Sequence, residues 1–173
     1  TMKAKKAIVA ADECMGCCNC EQRCPTGAIT MVRREPFMVG LEEDKFDRKA
    51  IVDLCAKTHF HPEHLVCTCT GTRAWEIAAA ILDGARSPEE ISIKTGIRTG
   101  CKAICIQPIL RFLEAAEIEV KRPDGYQWYG ITPTLWNLSD AVIEKYSSHG
   151  FGLAGDKEFI DRALQYELDK EGK

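Results

Sequence analysis

Ten of the 173 residues are cysteines, and five of these crowd into the eleven positions from Cys14 to Cys24, with Pro25 directly after. The others are Cys55, Cys67, Cys69, Cys101 and Cys105, so the last third of the chain has none. Thiols at this density either pair as disulfides or bind soft metals as thiolates. Residues 1 to 13 lack the apolar segment and cleavage site of a secretory signal, so the expected compartment is the cytoplasm. Thiols stay reduced there, and the spacing reads as metal binding. A formal net charge of −3 offers no basic field for nucleic acid. No apolar run approaches the ~20 residues of a membrane helix. The expectation is a metalloprotein with no nucleic-acid partner and no membrane insertion.

Cys14, Cys17, Cys20, Cys24 and Pro25 follow the pattern Cys-x2-Cys-x2-Cys-x3-Cys-Pro. That spacing wraps a tight loop around a cubane [4Fe–4S] cluster, with loop N–H groups aimed at the sulfurs. Structural zinc more often draws on two separated pairs than on one run. With AIV ahead of it and CPTGAI at its close, the segment resembles half of a bacterial-type ferredoxin. In two-cluster ferredoxins the cysteine before the proline serves the other cluster. No second complete run exists here, so either Cys24 closes the local cluster or Cys55 does. Cys18 stands where ferredoxins commonly have glycine. Neighbouring residues point apart, and Cys18 is expected as a small buried thiol under the loop.

Cys67-Thr68-Cys69 and Cys101-x3-Cys105 are two separated pairs. Their spacing alone suits zinc or a [2Fe–2S] cluster, provided the intervening elements bring them together. Trp75, Ala78, Ala79 and Leu82 form one stripe of a helix, capped by Thr72 and ended near Gly84. Ser87-Pro88-Glu89-Glu90 is a capping box that opens a second helix, which stops at Gly96. Pro108 opens a third, with Ile109, Phe112, Leu113 and Ala116 on its buried face. Short helices with cysteines at their ends allow the two pairs to converge.

Elsewhere, AIVA (7–10) and AITMV (28–32) read as short strands flanking the first loop, and 33–49 as a charged linker. AIVDL at 50–54 suits a helix turn or a strand. Residues 118–131 read as a β-hairpin around Pro123-Asp124-Gly125, followed by amphipathic helices at 133–147 and 156–169, the latter capped by Asp156. Gly150-x-Gly152-x-x-Gly155 follows a helix rather than a strand, so it reads as an inter-helix loop and not a dinucleotide site.

From Leu65 to about Ala116, the stretch running from LVCTCTGTRAWEIAAAIL to GCKAICIQPILRFL resembles the bacterioferritin-associated-ferredoxin-type (BFD-like) [2Fe–2S] domain. The resemblance implies Cys67, Cys69, Cys101 and Cys105 as cluster ligands. The second pair departs from the family's usual spacer of two residues by having three. Arg73, Lys94, Arg98, Lys102 and Arg111 fall near these loops, as charges that tune a cluster's potential or as ordinary solvated helix charges. His59, His61 and His64 precede Cys67, as a further metal site or as polar surface.

The expected fold class is α+β. Residues 1–64 form a small ferredoxin-like [4Fe–4S] module with a charged insertion, 65–117 an all-α [2Fe–2S] helical domain, and 118–173 a hairpin plus two helices for docking. No catalytic residues are assigned. Fusion of these two domain types resembles the small iron–sulfur subunits of multi-subunit FAD-dependent oxidoreductases. That resemblance implies a non-catalytic electron-transfer subunit whose partner is a flavoprotein or another oxidoreductase subunit. The alternative is an iron–sulfur scaffold or metal-delivery protein.

Overall fold

A computed structural model describes residues 2–3, 6–9, 11, 14, 16–32, 39–120 and 130–171. The class is α+β: among the described residues two small two-stranded antiparallel sheets accompany seven α-helices.

The centre is a layer of short helices. Helix α2 (Arg48–Lys57) packs on α3 (Ala74–Leu82), which also contacts α4 (Pro88–Thr95) and α5 (Ile106–Ala115). Helix α3 is buried on nearly every side, through Ala74, Ile77, Ala78, Ala79, Ala80 and Ile81. A helix apolar all round belongs in a core, and its alanines let neighbours approach closely. Ile51 and Cys55 of α2, Ile91 of α4, and Ile109, Phe112 and Leu113 of α5 complete the packing. AIVDL is thus helical, and Asp47 caps it by accepting the Lys49 N–H at 3.0 Å. Phe112 is fully buried. Phe112→Ala is expected to cost about 3–5 kcal/mol, read as a lowered denaturant midpoint at unchanged slope.

Local signals place the helix ends. Ser87 Oγ accepts the Glu90 N–H at 3.2 Å, and the Glu90 carboxylate accepts the Arg86 N–H at 2.6 Å, one residue earlier than an ideal capping box requires. Gly96 ends α4 in the left-handed region, at φ 73°. Helix α5 begins at Ile106, two residues before Pro108, which therefore sits within its first turn, where its missing N–H costs nothing. Thr72 is not the cap of α3. It lies in β4 (Thr72–Arg73), paired with Cys67 of β3 (Leu65–Cys67), and the helix starts at Ala74. The orphan N–H groups of that helix end are taken up elsewhere: Arg73 N–H by the Glu76 carboxylate, Ala74 N–H by the His64 carbonyl, and Trp75 N–H by the Pro62 carbonyl.

The N-terminal segment differs from expectation. Strand β1 (Met2–Lys3) pairs with β2 (Lys6–Ala7), whereas residues 28–32 are neither strand nor helix. Ile8, Val9 and Val32 are exposed and Ile29 and Met31 only half-buried, so the described residues of the two anticipated strands include no buried side chain, and an isolated strand pair is marginal in water. Helix α1 (Asn19–Gln22) is a single turn inside the cysteine loop.

Most of the expected hairpin, including Pro123, Asp124 and Gly125, lies outside the described residues. After it, the chain is tied back to α5: Gln107 accepts the Thr132 N–H at 2.9 Å and donates to the Gly130 carbonyl at 3.1 Å. The two C-terminal helices pack on each other, as α6 (Asp140–Ser147) and α7 (Leu153–Glu171). Helix α6 starts later than 133 because Asn137 accepts both the N–H and the hydroxyl of Thr134, closing a 3-10 turn at Leu135–Asn137. Asp156 lies in the first turn of α7 instead of capping it, and Gly155 is helical, so the glycine motif is only partly a loop. Among the described residues no helix is long and apolar enough to cross a membrane.

Trp136 joins the C-terminal helices to the core. Its ring stacks on His59 with centroids 3.9 Å apart, and its indole N–H donates to Asp161 at 2.8 Å. His59 Nδ1 lies 3.3 Å from the same carboxylate. Asp161→Ala removes both polar contacts. The expected cost is about 1 kcal/mol, visible as faster proteolysis within α6 and α7 while the core stays protected.

Candidate functional site

The second cysteine group is built by the end of β3 with the turn that leads to β4, and by the segment between α4 and α5. Cys67 ends β3; Cys105 is the residue before α5. Both are buried, and Cys67 lies close enough to affect the ionisation of Cys105. Burial, reinforced by the neighbouring Cys67, pushes the Cys105 thiol up to about 11. Burial also opposes ionisation of Cys67, but the hydroxyl and N–H of Thr70, with the N–H groups of Arg98 and Cys69, hold it below the ordinary thiol value. The Arg98 N–H thus serves both thiols.

Cys69 and Cys101 form the outer, exposed half. The Cys101 N–H donates to Cys69 Sγ at 3.4 Å. The N–H groups of Ile104 and Ala103, then the Cys69 thiol, lower the Cys101 thiol's pKa. Arg98 and Lys102 adopt φ of 69° and 62° on either side of Cys101. Left-handed backbone at a bulky residue costs on the order of 1–3 kcal/mol and tends to cluster at functional loops. Here it belongs to the turns whose N–H groups face the thiols.

Gly100 was missed from sequence. A Cβ built there would lie 2.3 Å from Cys69 Cβ and 2.9 Å from its sulfur. Its signal was only adjacency to Cys101; the reason is a tertiary approach. Two thiol pairs, Cys67 with Cys105 and Cys69 with Cys101, each supplied with backbone N–H donors and with a glycine where any side chain would collide, fit a thiolate-ligated anionic cluster that takes two thiolates per iron.

The first cysteine group is more open. Cys14, Cys17 and Cys24 are half-exposed and Cys20 is exposed. The Thr26 hydroxyl, followed by the Thr26 N–H, lowers Cys24 to about 7, and the Ala28 N–H donates to its sulfur at 3.2 Å. Cys24 is therefore readily a thiolate and already carries the N–H donors that a cluster sulfur receives. Cys55 is fully buried on α2, among the core residues. Cys18 is half-exposed instead of packed under the loop; its φ of 57° explains why a glycine suits this position, and its thiol lies 3.4 Å from the Gly16 carbonyl.

The histidines have separate local roles. His59 stacks on Trp136, His61 Nδ1 accepts the Glu63 N–H at 3.2 Å, and the His64 ring tilts against Phe60. Among the described residues no three His, Cys, Asp or Glu side chains gather as ligands for a single ion. Of the five cations near the loops, three are ion-paired: Arg73 with Glu63, Lys94 with Asp83, and Arg98 with Glu89. Arg111 donates to the Thr132 carbonyl, and Lys102 to the Asn19 side chain.

Two family models match the chain. Residues 7–30 match a 4Fe-4S binding domain, and residues 65–115 match the BFD-like [2Fe-2S] binding domain. Neither the curated proteins nor the solved structures gave a match. The chain thus joins a domain that binds a [4Fe–4S] cluster to one that binds a [2Fe–2S] cluster, and this pairing supports an iron–sulfur electron-transfer role.

Proposed function

We propose that this chain, a 4Fe-4S binding domain fused to a BFD-like [2Fe-2S] binding domain, is an electron-transfer subunit that passes single electrons to or from a partner flavoprotein oxidoreductase. The observation that carries the reading is the second site, which consists of two cysteine pairs: Cys67 and Cys105, buried and served by the same Arg98 N–H, and Cys69 and Cys101, at the surface and joined by the Cys101 N–H.

Cys67, Cys69, Cys101 and Cys105 would hold the [2Fe–2S] cluster, and Cys14, Cys17, Cys20 and Cys24 would hold the [4Fe–4S] cluster. Each cluster, when bound, takes up and returns one electron. The chain's own residues hold it, exclude water on one side and set its potential. Cys67 and Cys105, inside the core, keep solvent from half of the second site. The N–H groups of Arg98, Ala103 and Ile104 offset thiolate charge, which favours the reduced state. Cys69 and Cys101 leave an exposed edge through which an electron can enter or leave.

Electron paramagnetic resonance of the anaerobically purified, dithionite-reduced protein tests this. Two distinguishable spin systems, with iron and sulfide matching both clusters, are expected. A single signal with stoichiometric zinc refutes the two-cluster reading. Delivery of clusters to apo-acceptors faster than from free iron and sulfide would instead favour a scaffold.

A further inference from the structure

We propose that Lys102 is a positioning residue, docking the N-terminal cysteine loop against the second site so that the two centres exchange electrons directly within one chain. This rests on the reading that both sites hold clusters.

Lys102 Nζ donates to Asn19 Oδ1 at 3.0 Å, a contact between residues 83 apart in sequence. Each partner is embedded in ligand sequence: Asn19 lies between Cys18 and Cys20, and Lys102 directly follows Cys101. One side-chain contact therefore ties a loop of the first site to a loop of the second. The backbone is left-handed at Cys18 (φ 57°) and at Lys102 (φ 62°). Glycine would adopt either conformation with least strain. At 102 a lysine stands instead, and its amine makes the bridge.

The placement suits electron exchange. Cys67 and Cys105 are buried, whereas Cys69 and Cys101 reach the surface, so the accessible edge of the second site includes the residue that Lys102 follows. Charge points the same way. Arg73, Lys94 and Arg98 are matched by carboxylates, but the Lys102 ammonium bonds to a neutral amide. A full positive charge thus stands between two thiolate-rich sites, where it lowers their mutual repulsion and eases reduction of either. The exchange moves one electron: one cluster is oxidised as the other is reduced, with no bond made or broken and no proton transferred. Tunnelling falls steeply with separation, so the loop contact governs its rate.

The test uses the cluster-loaded full chain, reduced with dithionite. In the unaltered protein the two spin systems are expected to interact, seen as line splitting and as faster relaxation of the slower-relaxing centre. Lys102→Ala and Asn19→Ala should keep the iron content and both signals but lose that interaction, whereas Lys102→Arg and Asn19→Asp should keep it. Redox titration supplies a second readout: Lys102→Gln should shift both midpoint potentials to more negative values, because a cation leaves the neighbourhood of both centres. If Lys102→Ala loses iron, Asn19→Ala decides, because it leaves the second loop untouched. Two signals that never interact, or that interact equally in Asn19→Ala, overturn the proposal. A single spin system in the unaltered protein overturns the cluster reading itself and the proposal with it, so the two failures are distinct.

Discussion

Gly100→Ala is expected to abolish cluster binding at the second site as completely as loss of one of its cysteines. The added carbon would fall 2.3 Å from Cys69 Cβ, 2.9 Å from its sulfur and 3.7 Å from its Cα. A distant flexible side-chain tip could swing away, but Cys69 Cβ is one bond from the backbone and cannot. Relief requires moving either the strand-turn that carries Cys69 or the turn that carries Cys101, and either movement breaks the 3.4 Å contact between the Cys101 N–H and Cys69 Sγ. Gly100 is itself exposed, so the helical core should be unaffected. Iron should fall from about six to about four atoms per chain, with the [4Fe–4S] signal retained and the far-ultraviolet circular dichroism unchanged. Full iron occupancy in the alanine variant would show that the close approach has no bearing on the site.

The second large effect separates Cys24 from Cys55. Cys24→Ser is expected to lose the [4Fe–4S] signal and the iron that belongs to it, leaving the second site loaded. The serine oxygen cannot replace a thiolate already held at about 7 by Thr26 and aligned with the Ala28 N–H. Cys55→Ala should do the reverse. Cys55 is fully buried in α2, whose neighbours are α3 and α5, so bringing it to the first loop would mean unpacking the core. Its replacement should leave iron and both signals unchanged and destabilise the fold by on the order of 1 kcal/mol. Iron loss in Cys55→Ala, with Cys24→Ser fully loaded, would reverse the assignment.

What the sequence made legible was what local chemistry decides. Ser87, Pro88 and Gly96 mark the limits of α4 because caps satisfy backbone groups within a few residues. The cysteine spacings were readable because each ligand loop is short. Where partners are remote, the sequence was silent or misleading. Thr72 has the chemistry of a cap, yet its pairing with Cys67 draws it into a strand. AIVDL suits helix or strand equally, and only its packing against α3 decides. Ile8, Val9 and Val32 have strand character, yet they are exposed and cover no apolar surface. Gly100 and Lys102 matter through Cys69 and Asn19, which no local pattern connects to them.

The packing of α2 has a consequence for dissection. Excising the chain at residue 65, where the [2Fe-2S] match begins, would strip Ile51, Leu54 and Cys55 from the surface of α3. It would also remove the Pro62 and His64 carbonyls that receive that helix's first N–H groups. A fragment of roughly 50 residues has little core to spare, so this one would be expected to aggregate or stay molten. The packed unit reaches upstream of α2 as far as Leu41, which with Phe46 rests against the same core, so a fragment that keeps the second site intact is expected to need this stretch as well.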